Sequence, residues 1–357
     1  MAEWPIAAVL KTAVGQPTVG SNPTSSVAST LSINGQSRGS LFLQFSLEAF
    51  LKLLLSKPRG FCAGVERAID TVKRALELWG APIYVKHEIV HNRHVVEDLK
   101  QRGAIFIEDL NEVPQGARLI YSAHGVAPAV RELARARGLI EIDATCGLVT
   151  KVHSAVKRFA LKGYHIVLIG HRTHVEIIGT AGEAPDVTTV VESVQEVEQL
   201  TLPQDQKLFY ATQTTLSLDD VQPIVQALLV KYPHIETLPS SSICYATTNR
   251  QMALRAITDE ADLILVVGDP RSSNSNRLRE VAEVRGVPAH LINDADEIVP
   301  EWLIGVEVIG LTAGASTPED VVQRCIQRLR SMGVDTVEDV VFTEEDVVFQ
   351  LPKNLSH

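Results

Sequence analysis

Cysteine is scarce in this chain. There are four, at positions 62, 146, 244 and 325, and no two form a C-x-x-C pair. That is too few for a disulfide framework, and a reducing cytosol is the default setting for such usage. Long apolar runs are missing as well: none reaches the roughly 20 residues a membrane helix needs. Basic residues are outnumbered, 33 Lys and Arg against 43 Asp and Glu, leaving a formal charge of −10. A broad nucleic-acid or anionic-membrane surface needs a basic face, so both are excluded as main partners. A small pocket for a phosphorylated metabolite is not. No G-x-G-x-x-G follows a strand pattern, and "GVEVIGLT" carries Leu311 where a Walker loop needs lysine.

The first 47 residues stand apart, with one acid (Glu3), two basic residues (Lys11 and Arg38) and 12 Ser or Thr. Residues 1–50 read as a disordered extension or as an organellar transit peptide, the second placing the protein in a plastid or similar compartment rather than the cytoplasm. Beyond them the chain is of ordinary globular composition, 45% hydrophobic and 21% charged. Short apolar runs alternate with helical patterns, which marks parallel α/β layers. "APIYV", "ARLIYSAHG", "HIVLIGH", "KLFYATQ", "LILVVGD" and "VEVIGLTAG" read as buried strands ending in polar loops. "VERAIDTVKRALELWG" and "VQRCIQRLRSMG" read as amphipathic helices stopped by glycine.

The spacing repeats. Counting from Cys62, a strand end brings His87 at +25 and His91 at +29; from Cys146, His171 at +25 and His174 at +28; from Cys244, Asp269 at +25 and Ser272 at +28. A second polar loop follows in each unit, with His124 at +62, Thr214 at +68 and Ser316 at +72. The chain therefore reads as three copies of one plan. The expected boundaries are 51–146, 147–243 and 244–331, followed by a C-terminal strand and tail over 332–357. Units packed round a common axis would bring three cysteines and six strand-end loops to one cavity.

Each of the three cysteines precedes a helix: "CAGVERAID", "CGLVTKVHSAVKRFA" and "CYATTNRQMALRAI". A helix start is locally positive, so the expectation is a lowered thiol pKa and a ready metal ligand. Taken singly, a cysteine is a small buried hydrophobe. Cys325, on the apolar face of "VVQRCIQRL", keeps that reading. Three converging thiols suit catalytic zinc with one open position, or an iron–sulfur cluster lacking its usual fourth cysteine. Zinc would make a hydrolase of a phosphorylated metabolite; a cluster would make a redox enzyme or a sensor. Spacing alone leaves these open.

The anion-binding side comes from His91, His124, His174, Ser272, Ser273, Asn274 and Ser316, many donors with few lysines among them. Ser316 in "GASTPED" is expected to open a helix, with Thr317 as its cap and Pro318 in its first turn. Glu176 in "HVEIIG" is the one carboxylate at an otherwise apolar loop end. Apolar surroundings raise a carboxyl pKa and suit it to proton donation. Any one of these residues read alone is a satisfied core or surface group; the matched offsets argue for them together.

"PRGFCAGVERAI", "HEIVHNRHVV", "SAHGV", "DATCGLVTKVH", "QTTLS", "ICYATTNRQ", "SSNSNRL" and "TAGAS" resemble the 4-hydroxy-3-methylbut-2-enyl diphosphate reductase family, in order, from about residue 52 to 352. The resemblance implies three similar α/β domains with mostly parallel sheets, in pseudo-threefold arrangement round a [4Fe-4S] cluster. Cys62, Cys146 and Cys244 would hold that cluster. It implies removal of an allylic hydroxyl with two electrons and two protons, giving isopentenyl and dimethylallyl diphosphates, the last step of the non-mevalonate isoprenoid pathway. Electrons would come from ferredoxin or flavodoxin. His91, His124, His174, Ser272, Ser273, Asn274 and Ser316 match the diphosphate-binding set, Glu176 the proton donor, and Thr214 its neighbour at the substrate hydroxyl. Two positions depart from the pattern. Gly147 follows the second cysteine where proline is usual, which should loosen that loop, and Val175 replaces a proline before Glu176.

Overall fold

Alternation of buried strands with amphipathic helices resolves into three parallel sheets. The computed structural model describes residues 51–355; the reading of residues 1–50, and of the last two residues of the tail, lies outside them. The first sheet runs β3 (Ala104–Ile107), β2 (Ile83–Lys86), β4 (Arg118–Tyr121), β5 (Ile140–Asp143). The second runs β7 (Thr188–Val191), β6 (His165–Ile169), β8 (Leu208–Thr212). The third runs β10 (Ala289–Ile292), β9 (Leu263–Val267), β11 (Val308–Ala313), β1 (Leu51–Lys57), β12 (Val334–Val341). In each sheet the same three-strand order recurs, an outer strand, the strand before it in sequence, and the strand after it. The six apolar runs singled out in the sequence are the strands β2, β4, β6, β8, β9 and β11. All five residues of β9, "LILVV", are buried, as a parallel strand covered on both faces requires.

One expected boundary is wrong. Residues 51–57 were assigned to the first unit, but β1 pairs with β11 and β12 in the third sheet, Leu53 lying opposite both Ile309 and Val337. The apolar run "LKLLLSK" gives no sign of which sheet it joins. Its fully buried Leu53 and Leu54 instead find their partners in the third unit's strands and helices.

That placement exposes a rule of the fold: each cysteine stands where the chain leaves one sheet for the next. Cys62 follows β1 of the third sheet and caps α1 (Ala63–Trp79), whose Val65, Ala68, Ile69 and Val72 pack with Ile83, Val85 and Ile120 of the first. Cys146 follows β5 of the first sheet and caps α4 (Gly147–Leu161), whose Val152, Ala155 and Val156 pack with Ile166, Leu168 and Phe209 of the second. Cys244 follows a segment whose Glu236 bridges to Phe209 of β8. It caps α8 (Tyr245–Thr258), whose Leu254 and Ile257 pack with Leu54, Ile264 and Val266 of the third.

The C-terminal segment binds these crossings from outside. Arg250 on α8 is fully buried and donates through Nε and Nη2 to the Gly60 carbonyl at 3.0 and 2.8 Å, and through Nη2 to that of Phe61 at 3.0 Å. Its Nη1 meets both carboxylate oxygens of Glu345 at 3.2 Å. Arg67 of α1 donates to the Gln350 carbonyl at 2.7 Å, and Leu355 returns to the core of the first unit. A Cβ on Gly147 would stand 3.3 Å from the Phe349 ring, so Phe349 already fills the space a proline there would take.

Removing Arg250 would strand two carbonyls beside Cys62 and leave Glu345 with a half-buried charge. Arg250→Met is expected to cost about 3 kcal/mol or more in denaturant unfolding, because two carbonyls lose their guanidinium donor and Glu345, left with Asn249 alone, loses its ion pair. A loss under about 0.5 kcal/mol, the range of surface substitutions, would contradict this role for Arg250.

Candidate active site

These six strands end at one cavity between the three sheets, the kind of place where small-molecule sites form. Every residue assigned a role from the sequence lines it: Cys62, Cys146 and Cys244; His91, His124 and His174; Glu176 and Thr214; Ser272, Ser273, Asn274 and Ser316. The +25 landmarks do not. His171 turns to Glu192, 3.6 Å away, Asp269 accepts from Arg271 and from the Arg93 amide, and His87 stands behind the wall. Among the described residues, no lysine or arginine lines the cavity.

The sulfurs gather at its base. A Cβ added to Gly64 would lie 2.5 Å from Cys146 Sγ and 4.0 Å from Cys62 Sγ, so any side chain there would occupy the space between two thiols. The expectation of lowered thiol pKa values is not met. Burial raises Cys146 to about 11 and Cys244 to about 12, with the neighbouring sulfurs adding to it. The helix starts do contribute, through amides of Leu148 and Val149 toward Cys146 and of Ala246 and Thr247 toward Cys244, but desolvation outweighs them. Three crowded thiols suit a soft cation, because only a bound positive centre stabilises three thiolates in such a place. The donor set therefore fits an iron–sulfur group with one iron lacking a cysteine. Cys325 is fully buried in the apolar core of the third unit and offers no fourth ligand.

On the polar side the imidazoles form a raft. Ring centroids of His91 and His124 are 4.4 Å apart, and each is 5.9 Å from His174. His174 caps α5 (Val175–Ala181) by accepting from the Glu176 amide at 3.2 Å. Burial drives His124 well below the ordinary histidine range and His174 down to about 4, with the neighbouring rings adding to both. Ser272 caps α9 (Ser273–Val284), so Ser273 and Asn274 form its first turn. Asn274 is 4% exposed, and neither atom of its amide has a partner in the protein. A polar ligand is what such an orphaned amide is waiting for.

Ser316 departs from expectation. It does not open a helix: α10 (Glu319–Ser331) is capped at Pro318, and Ser316 lies in the turn before, donating to the His91 carbonyl at 2.9 Å. Thr317 caps nothing, because its hydroxyl is buried and donates to the Val267 carbonyl.

Glu176 is 3% exposed. The Thr214 amide donates to its Oε1 at 2.6 Å and the Thr214 hydroxyl to its Oε2 at 2.9 Å. Burial still holds its pKa above the usual carboxyl range against those two bonds. Val175 at the proline position leaves this placement intact, since Thr214 and the His174 cap fix the carboxyl from both ends. Several supporting residues were not foreseen. Gln213 is buried and links His171 N, Thr215 and Ser273, while Thr215 also donates to Ser273 at 2.9 Å. His153 on α4 is held by Glu183 at 2.9 Å with its Nε2 buried and unpaired. Its place in a helical apolar pattern hid it.

Three parallel α/β units whose helix starts and strand ends enclose a cavity of thiols, imidazoles and one buried acid define a class: a metal-dependent protein for a small anionic ligand. The chain belongs to the LytB family, whose model ("LytB protein") matches residues 53–330. It is 76% identical over 303 residues to the 4-hydroxy-3-methylbut-2-enyl diphosphate reductase of Protochlamydia amoebophila, covering 85% of this chain and 97% of that protein. It is 65% identical to the enzyme of the same name from Chlamydia trachomatis serovar D, with 85% and 99% covered. Among solved structures, the E-1-hydroxy-2-methyl-but-2-enyl-4-diphosphate reductase of Plasmodium falciparum superposes with a TM-score of 0.84 at 51% identity, covering 85% of this chain and 96% of that one.

An anion bound among neutral imidazoles raises their pKa, so binding takes up protons and strengthens as pH falls toward the raised values. Inorganic pyrophosphate is therefore expected to bind more tightly at about pH 5.5 than at about pH 7, with proton uptake by the protein visible by calorimetry in buffers of different ionisation enthalpy. Proton release on binding would contradict that electrostatic reading.

Proposed function

We propose that this chain reduces (E)-4-hydroxy-3-methylbut-2-enyl diphosphate to isopentenyl and dimethylallyl diphosphates, the closing step of the non-mevalonate isoprenoid pathway. Its relatives carry that enzyme's name over nearly their whole length. The observation that carries the proposal within the structure is the meeting of three thiols, an imidazole raft and a buried acid in one cavity. Each substrate molecule takes two electrons and two protons; the allylic C–O bond breaks, a C–H bond forms, and water leaves.

In this reading the diphosphate sits among His91, His124, His174, Ser272, Ser273, Asn274 and Ser316. The α9 helix start adds amide N–H groups and a favourable dipole. Anchoring the substrate by its charged end fixes the distance at which the hydroxyl reaches the sulfurs, and so supplies orientation. Cys62, Cys146 and Cys244 would hold a [4Fe-4S] cluster, which when bound supplies the electrons and a Lewis-acidic iron.

Burial opposes the charge of Glu176 and favours its protonated form, from which it gives a proton to the departing hydroxyl oxygen or to the allylic carbon. Thr214 orients that proton by holding both carboxyl oxygens. The surrounding Val90, Ala123, Val149 and Ala246 keep bulk water away from the transfer. Protonation at either of two carbons accounts for two products. Ferredoxin or flavodoxin would supply the electrons.

A regulatory protein that only senses oxygen or iron through the same cysteines would need no buried acid. Glu176→Gln separates the two readings. The variant is expected to keep its iron and brown colour while anaerobic turnover falls by at least about 100-fold, the scale of a lost general acid. Turnover within about twofold of the parent would remove Glu176 from that role.

A further inference from the structure

His87 stands just outside the cavity lining, and neither anion binding nor proton transfer accounts for its conformation. Its backbone φ is 62°, a left-handed value unusual for a residue other than glycine. Its Nδ1 is 2.7 Å from Glu108 Oε1, while its Nε2 is buried and has no partner. Two cavity histidines share that arrangement. His91 Nδ1 is 3.2 Å from Glu88 Oε2, and His124 Nδ1 is 3.3 Å from Ser122 Oγ. The two carboxylates are themselves held, Glu108 by Lys86 at 3.1 Å and Glu88 by Arg271. One ring nitrogen from each of His87, His91 and His124 lies within 4.8 Å of the other two. With every Nδ1 engaged, the three Nε2 atoms are the ones left to share a ligand.

We infer that His87, His91 and His124 form a second metal site, separate from the sulfurs, that takes a zinc-class divalent cation through three imidazole nitrogens. Three histidines with one open coordination place is a known zinc donor set. Each ring is oriented through its other nitrogen, by a carboxylate in two cases and a hydroxyl in the third, the supporting arrangement such sites use. Zn–N bonds of about 2.0 Å put ligand nitrogens roughly 3.4 Å apart, so the rings need to close by roughly an ångström. The rings are also poor proton acceptors where they stand, since burial lowers His87 and His124, and a metal binds the neutral form.

The site is inhibitory. A cation here occupies His91 and His124, which the proposed function gives to the diphosphate, so cation and substrate exclude one another. That exclusion rests on the functional reading; retention of the cation does not.

The test is anaerobic equilibrium dialysis of cluster-loaded protein against zinc at a free concentration fixed by a metal buffer, with iron measured in the same samples. One zinc per chain is expected, with iron unchanged. His87→Asn, which tolerates the left-handed backbone, should weaken zinc binding by about 100-fold, and Glu108→Gln by about 10-fold. Zinc-free turnover of His87→Asn should stay within about twofold of the parent, and zinc should raise KM with little change in kcat. Equal zinc retention by parent and both variants would overturn the site, as would zinc that enters only as iron leaves, which would place it at the sulfurs. Zinc that lowers KM would overturn the exclusion. Absence of turnover in the zinc-free parent would strike at the proposed reaction and leave the dialysis result standing.

Discussion

Everything in this molecule turns on crowding three thiols into one buried place, where Cys146 and Cys244 resist ionisation. Cys62, Cys146 and Cys244 each cap a helix at a crossing between sheets, and burial beside the other sulfurs pushes the Cys146 and Cys244 thiols upward in pKa. Thiolates in such a place cost stability unless a cation compensates them. The fold supports the crossings from outside. Arg250 fastens the strand-to-cysteine turn at Gly60 and Phe61, Glu345 neutralises Arg250, and Phe349 packs on the start of α4. Because each crossing joins two different sheets, the three units cannot shift relative to one another without moving a sulfur.

The second constraint is what the cavity leaves out. A diphosphate is most simply bound by lysine or arginine, and among the described residues neither lines this site. A fixed positive charge beside Glu176 would draw its proton off and hold it as a carboxylate. In the proposed reading, imidazoles, hydroxyls, an amide and a helix start would bind the anion without a fixed cation in place beforehand. Charge appears only when the ligand arrives. The polar side therefore does not oppose the protonated state of the acid, and the two halves of the site are electrostatically compatible in one small volume.

Much of this was legible in the sequence, and the reasons differ by feature. The six strands that end at the cavity were clear because each is a short continuous apolar run ending in a polar loop, and the site was clear because those loops recur at matched offsets from a cysteine. The outer strands β3, β5, β7 and β10, each four residues long, carry too little pattern to stand out. The sheet joined by β1 was misjudged because sequence adjacency to α1 says nothing about a strand whose partners lie some 250 residues later. The thiol pKa direction was misjudged because a helix start is visible in sequence while the depth of burial is not. Thr317 looked like a cap by residue type, yet its hydroxyl was needed by the Val267 carbonyl in the core. His153 gave no distinguishing signal, and its offset from Cys62 marked His87 without showing its surroundings, since what sets both apart is an unpaired buried nitrogen.

The central claim is that three sulfurs from three crossings hold one iron–sulfur group. Anaerobic determination of iron and acid-labile sulfide in the purified chain tests it most directly. The account predicts about four of each per chain, the content of a single [4Fe-4S] cluster. One zinc per chain with neither iron nor sulfide, in protein never exposed to oxygen or to added zinc, would contradict it.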